Sequence, residues 1–211
     1  MCADSYLQRR TPPRWHGLSF PDLVEAAANY TFTAVNALAQ QGTPPTSVQI
    51  GNEINCGIFH PWTGEPCSSG ASICDTCKGN FGNLAKVINA SAAAVRRASP
   101  EAELIIQYAA SKQLGDGDTY HDLFNFYTTL AGHGTDFDAM GLSFYQIWGA
   151  TNVSNLCTMA ALARALPRKR IYVIETGYPY KDGGHAPGSM KPAPQFPLTP
   201  EGQEDWLRAV V

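Results

Sequence analysis

Apolar residues between Leu23 and Leu38 recur at helical spacing and predict a helix that ends near Gly42, with Pro44 and Pro45 beyond it. A short apolar strand follows from Val48 to Asn52. After a Gly-, Ser- and Pro-rich stretch, Leu84 to Ala98 repeats the helical spacing, with Asn80 or its neighbours as candidate caps and Pro100 closing the element. The run AELIIQYAA is of strand type, and YHDLFNFYTTLAGHG is a helix stopped by Gly132 and Gly134. The strand FDAMGLSFY, the helix NLCTMAALARAL and the strand RIYVIETGY come next. A Pro- and Gly-rich loop from Pro179 to Pro200 leads into TPEGQEDWLRAVV, where Thr199 suits the N-cap and Pro200 the first helical position.

The predicted order is one helix, then strand and helix four times over. Near-continuous apolar strands alternating with helices specify a parallel sheet covered by helices, which a doubly wound sheet or a (β/α)8 barrel would satisfy. No Gly-x-Gly-x-x-Gly follows a strand and no phosphate loop is present, so the nucleotide-binding version loses ground to the barrel.

Barrel enzymes place their chemistry at the C-terminal ends of strands, and polar residues recur there in this chain. Asn52 and Glu53 close one strand, Gln107 and Tyr108 lie near the end of the next, Ser143 and Tyr145 end a third, and Glu175 the last. If Ile171 and Val173 face the barrel interior, alternation points Glu175 inward too, with Tyr172 and Ile174 under the helices. A carboxylate there is costly without a partner or a task. Two such glutamates, about 5 Å apart, would suit retaining glycoside hydrolysis, one as nucleophile and the other as acid and then base. The plainer reading is that Glu53 caps a loop and Glu175 pairs with a basic side chain. Phe59, Trp62, Tyr145, Trp148 and Tyr178 are aromatic candidates for stacking on sugar faces, Trp148 foremost; Trp206, at helical spacing, reads as core. His60 and His133 have no ligand partners at suitable spacing and read as structural or surface residues.

Composition narrows the partners. The chain has 211 residues, 44% hydrophobic and 16% charged, a net charge of -3 and scattered Lys and Arg. That excludes the basic footprint of a nucleic-acid binder. No apolar run approaches the roughly 18 residues of a membrane helix, and the first fifteen residues lack a signal peptide's apolar centre. Six cysteines are present, Cys2, Cys56, Cys67, Cys74, Cys77 and Cys157, four of them in or beside a Cys-rich loop at residues 56–79. Cys74-x-x-Cys77 leaves a zinc site or a disulfide-stapled loop as alternatives, and disulfides are favoured because no second pair completes a zinc set. Sequons at Asn29, Asn89 and Asn152 lean the same way, toward an oxidising, secretory setting. Such a setting implies that the natural N-terminus, with its signal peptide, precedes this chain. Nothing calls for a cofactor, and no acidic cluster dense enough for calcium is present.

Three segments, VQIGNEINCGIFHPWTG, TDFDAMGLSFYQIWG and IYVIETGYPY, resemble successive motifs of the arabinogalactan endo-β-1,4-galactanases, glycoside hydrolase family 53. LVEAAANYTFTAVNALAQQG and PEAELIIQYA match as well, so the resemblance covers nearly all of the chain. It implies an α/β fold, a partial (β/α)8 TIM barrel of about four βα units corresponding to strands 4 to 7, over residues 1–211. It implies Glu53 as acid/base, Glu175 as nucleophile, Asn52 on the sugar 2-hydroxyl, and Tyr145 and Trp148 in the wall of the site. The implied substrate is the polysaccharide β-1,4-galactan of pectic arabinogalactan, cut by an extracellular enzyme that is a monomer when complete.

The chain also departs from that pattern. Phe144-Tyr145-Gln146 stands where the family has an aromatic pair followed by Pro, and the Cys67 to Cys77 stretch looks like an insertion. A second-strand arginine, a histidine-bearing third strand and a tryptophan-bearing eighth are missing, and a full barrel has roughly 250 residues. A truncated, non-catalytic fragment or degenerate relative with at most weak glycan binding is therefore the alternative, as is a β-glycanase for mannan, xylan or glucan.

Overall fold

In a computed structural model of the chain, residues 11–59, 80–109, 119–145, 159–181 and 195–210 are described. The elements follow the predicted order: α1 Phe20–Gln40, β1 Ser47–Gln49, α2 Phe81–Ala98, β2 Glu103–Ala109, α3 Thr119–Gly132, β3 Ala139–Tyr145, α4 Met159–Ala165, β4 Arg170–Gly177 and α5 Pro200–Val210. The four strands form one sheet in the order β1-β2-β3-β4. Strands adjacent in sequence are thus adjacent in the sheet with a helix between each pair, the connectivity of (β/α)8 units. β1 and β2 are parallel, with Val48 opposite Leu104.

Contacts group the chain into two units, Met1–Gln107 with Tyr127–Ala139, and Tyr108–Phe126 with Met140–Val211. In the first, α1 packs on α2. The Ser19 hydroxyl accepts from Asp22 N–H at the start of α1 (3.4 Å), and Gly42 adopts φ +85° just past its end. One side of α2 is buried from Leu84 to Val95 in helical spacing. Asn80 occupies the N-cap position of α2 without a side-chain capping bond, so the expected cap is positional only. Tyr127, fully buried, donates from its hydroxyl to Ile106 O (2.8 Å), fixing α3 on β2.

Arg96 clamps the same unit. Its guanidinium donates to Asp136 (3.1 Å), Asp138 (2.8 Å) and the carbonyl of Ala102 (3.0 Å), while Asp138 accepts Leu104 N–H (2.8 Å). Hydrogen bonding to Asp136, above all, raises the Arg96 pKa despite partial burial, so the charge is secure. Nearby, Asn89 donates to Gly134 O (3.2 Å) and accepts from Asp136 N–H (2.7 Å), while Ser91 is buried. Both ends of the Asn89 amide are thus engaged on a helix. Asn29 is exposed on α1, and Asn152 lies outside the described residues.

The second unit is built on aromatic stacking. Trp206 of α5, fully buried as expected, lies 5.5 Å from Phe144 and 5.3 Å from Tyr178 between ring centroids. Phe196, Leu198, Val173 and Val210 pack around this cluster. Val173, expected to face the barrel interior, instead joins the cluster holding the α5 tryptophan. Thr199 caps α5, its hydroxyl accepting Gly202 N–H (3.1 Å), and hydrogen bonds to the Glu201 backbone N–H and then to Thr199 lower the pKa of Glu201. A Cβ at Gly202 would lie 1.9 Å from Pro197 O, so only glycine permits this approach of the preceding loop to α5.

Candidate active site

The strand before Asn52-Glu53 is shorter than its apolar pattern suggests. β1 ends at Gln49, although Ile50 N–H still donates to Ile105 O (3.0 Å). Gly51 then takes φ +76° and Glu53 φ 48°, ψ 52°, so the chain hooks through two left-handed residues into a one-turn 3-10 helix, Ile54–Cys56. Asn52 and Glu53 thus sit in a turn past the strand, which corrects the expectation that a strand delivers them directly. A left-handed non-glycine residue costs on the order of 1–3 kcal/mol and persists only where its surroundings hold it.

Gln107 holds it. The side chain is fully buried near the end of β2, and its Oε1 accepts from Gln49 Nε2 (2.5 Å) and from Glu53 N–H (3.2 Å). Gln49 Nε2 also reaches Gly51 O (2.7 Å) and, at the limit of hydrogen-bond length, Asn52 Oδ1 (3.4 Å). The Glu53 carboxylate accepts no hydrogen bond from a described side chain and is half-buried. Ile54 packs under the hook, almost fully buried; a Cβ on Gly51 would fall 2.6 Å from its Cγ2.

Glu175 is presented differently. It lies within β4, two residues before its end, and Tyr145 at the end of β3 donates its hydroxyl to Glu175 Oε2 (3.1 Å). Gly177 makes room for the phenol, since a Cβ there would meet the Tyr145 ring at 3.2 Å. Neighbouring Thr176 donates to Phe144 O (2.7 Å) and accepts from Trp206 Nε1 (3.1 Å), pinning β4 to β3 beside the Tyr145–Glu175 pair. Thr176 carried no chemical signal in the sequence, and Gln107 only its place near a strand end.

Two aromatic candidates turn out to be packing residues. Tyr178 is 4% exposed, its ring stacked on Trp206 and its hydroxyl bonded to the backbone of Phe196, from which it accepts the N–H (2.9 Å). Burial raises its pKa, against the opposing backbone hydrogen bond at Phe196. Phe59, 7% exposed, meets Trp15 edge-on at 5.8 Å. Neither ring offers a free face for a sugar. Trp62, Trp148, His60 and Cys2, Cys67, Cys74, Cys77 and Cys157 lie outside the described residues. Cys56 lies in the 3-10 helix after the hook.

Parallel βα units with carboxylates at or beyond strand ends belong to the (β/α)8 class of fold, whose chemistry gathers at that end of the strands. The sequence profile of Glycosyl hydrolase family 53 matches residues 1–211, and the chain belongs to that family. It is 29% identical over 194 residues to an arabinogalactan endo-beta-1,4-galactanase of Thermothelomyces thermophilus, covering 86% of this chain and 51% of that protein. Among solved structures, the Ignisphaera aggregans GH53 catalytic domain matches with a TM-score of 0.71 and 27% identity, covering 96% of this chain and 52% of the other. A structure from a study of two fungal beta-1,4-galactanases gives 0.73 and 27%, over 96% of this chain and 57% of the other. The chain spans about half the length of the relatives it matches. Among the described residues, no helix is long and apolar enough to cross a membrane.

Proposed function

We propose that the protein to which this chain belongs is a retaining endo-β-1,4-galactanase that cuts galactan in pectic arabinogalactan. The match of the whole chain to family 53 carries this reading, and both glutamates fall in the segments that resemble the family's motifs. Glu175 is the nucleophile. The Tyr145 hydroxyl donates to its Oε2 and so orients the carboxylate for attack on the anomeric carbon. Glu53 gives its proton to the departing glycosidic oxygen, then takes one from the water that attacks the galactosyl ester and frees Glu175. The configuration at the anomeric carbon is inverted twice and so retained.

Asn52, one residue before Glu53, donates from its amide to the sugar 2-hydroxyl, where charge develops as the oxocarbenium-like state forms. Trp148, by resemblance to the family, joins Tyr145 in the wall of the site, and Trp62 is a further aromatic candidate for stacking on a sugar face. The Cys-rich segment at residues 56–79 supports an extracellular, oxidising setting. The test is reducing-end release from β-1,4-galactan by the full-length protein and its Glu53→Gln and Glu175→Gln variants. Each substitution is expected to lower kcat by about 1,000-fold. Turnover by Glu175→Gln at the parental rate would overturn the nucleophile assignment, and turnover of xylan or mannan in preference to galactan would overturn the substrate.

A further inference from the structure

We propose that Gln107 is a positioning residue whose buried carboxamide sets the left-handed hook and so aims Glu53, an inference that rests on Glu53 acting as the acid/base. Four observations converge on it. Gln107 is fully buried on a strand whose neighbours Leu104 and Ile106 are equally buried, a place where an amide is costly unless its polar atoms are bonded. Its Oε1 accepts Glu53 N–H, the main-chain donor of the residue carrying the carboxylate. The same oxygen accepts Gln49 Nε2, which in turn binds Gly51 O, so both ends of the turn are tied to one atom. Glu53 itself holds φ 48°, a conformation that a glutamate does not keep unaided.

The Glu53 side chain has no described partner of its own, so its direction is inherited from its backbone. Removing the acceptor at position 107 strands the Glu53 N–H beneath the turn and frees the hook to relax toward a right-handed conformation. Misplacement of a reacting group by about 1 Å costs on the order of 100-fold in rate. Such a loss falls on kcat, because the substrate's remaining contacts are untouched.

Two variants separate positioning from packing. Gln107→Met keeps the side-chain length and removes the acceptor; Gln107→Glu restores an oxygen at the same reach. Amide hydrogen exchange at Glu53, followed in the full-length protein, requires no turnover. The expected result is fast exchange at Glu53 in Gln107→Met with β2 still protected, and slow exchange recovered in Gln107→Glu. In galactan hydrolysis, Gln107→Met is expected to lose about 100-fold in kcat with KM within about threefold of the parent. Equal Glu53 protection in the parent and Gln107→Met overturns the proposal, whether or not galactan is turned over. Absence of galactan turnover in the parent, with the exchange pattern as expected, would instead count against the galactanase reading alone.

Discussion

The turn after β1 and the end of β4 each carry one of the two glutamates, and they hold it by opposite means. At Glu53 the main chain is fastened and the carboxylate is left without a described partner: the N–H is bound by Gln107 and the backbone is bent into the left-handed region. At Glu175 the main chain is ordinary strand and the side chain itself is fastened, by the Tyr145 hydroxyl. The difference suits the tasks proposed for the two residues. A nucleophile has one trajectory and gains from a fixed oxygen, whereas a group that first gives a proton and later takes one must serve two partners. Rigidity in the backbone under Glu53 and in the side chain at Glu175 meets these needs in turn.

Substitutions can break each arrangement separately. The largest effects are expected of Glu175→Gln and Glu53→Gln, which remove the proposed nucleophile and acid/base. Next comes Tyr145→Phe, which removes the hydroxyl that donates to Glu175 Oε2 and is expected to lower kcat on galactan by about 100-fold with Glu53 amide exchange unchanged. If Tyr145→Phe left kcat intact, the side-chain anchoring of Glu175 would have no catalytic meaning. Gly51→Ala attacks the other arrangement. The new Cβ enters the space of Ile54 Cγ2 at φ +76°, so a loss of about 1–3 kcal/mol in unfolding free energy is expected, with local opening at Glu53 by hydrogen exchange. Thr176→Val leaves the Trp206 N–H without its acceptor and should cost about 1–3 kcal/mol by denaturant titration. The smallest effect is at Thr199→Ala, about 1 kcal/mol from the lost cap of α5, with the hook and Glu175 undisturbed.

Glu175 was legible in the sequence and the hook at Glu53 was not, for physical reasons. The strands RIYVIETGY and FDAMGLSFY announce themselves by apolar runs, and the polar residues that interrupt them stand out. The surroundings of Val173 did not follow, because the α5 tryptophan it packs near lies 33 positions away in sequence. At Asn52-Glu53 the apolar run VQI read as a longer strand, whereas Gly51 and the left-handed Glu53 end it early; only glycine signals such a turn in advance, and Glu53 carries no such mark. Gln107 bonds to residues 54 and 58 positions away in sequence, a contact that no local pattern encodes. Tyr178 and Phe59 were misread because an aromatic side chain beside a motif looks the same whether it lines a cleft or fills a core; their burial decides.

The division of roles between Glu53 and Glu175 is tested most directly by azide rescue of the full-length protein with an aryl β-galactobioside bearing a good leaving group. With Glu175→Ala, azide can occupy the space of the missing nucleophile and displace the aryl group, and the expected product is the α-galactobiosyl azide. With Glu53→Ala, the galactobiosyl enzyme still forms on Glu175 with loss of the aryl group, and azide then displaces the Glu175 carboxylate, giving the β-galactobiosyl azide. The reverse pairing of anomers would contradict the assignment, as would failure of azide to accelerate either variant.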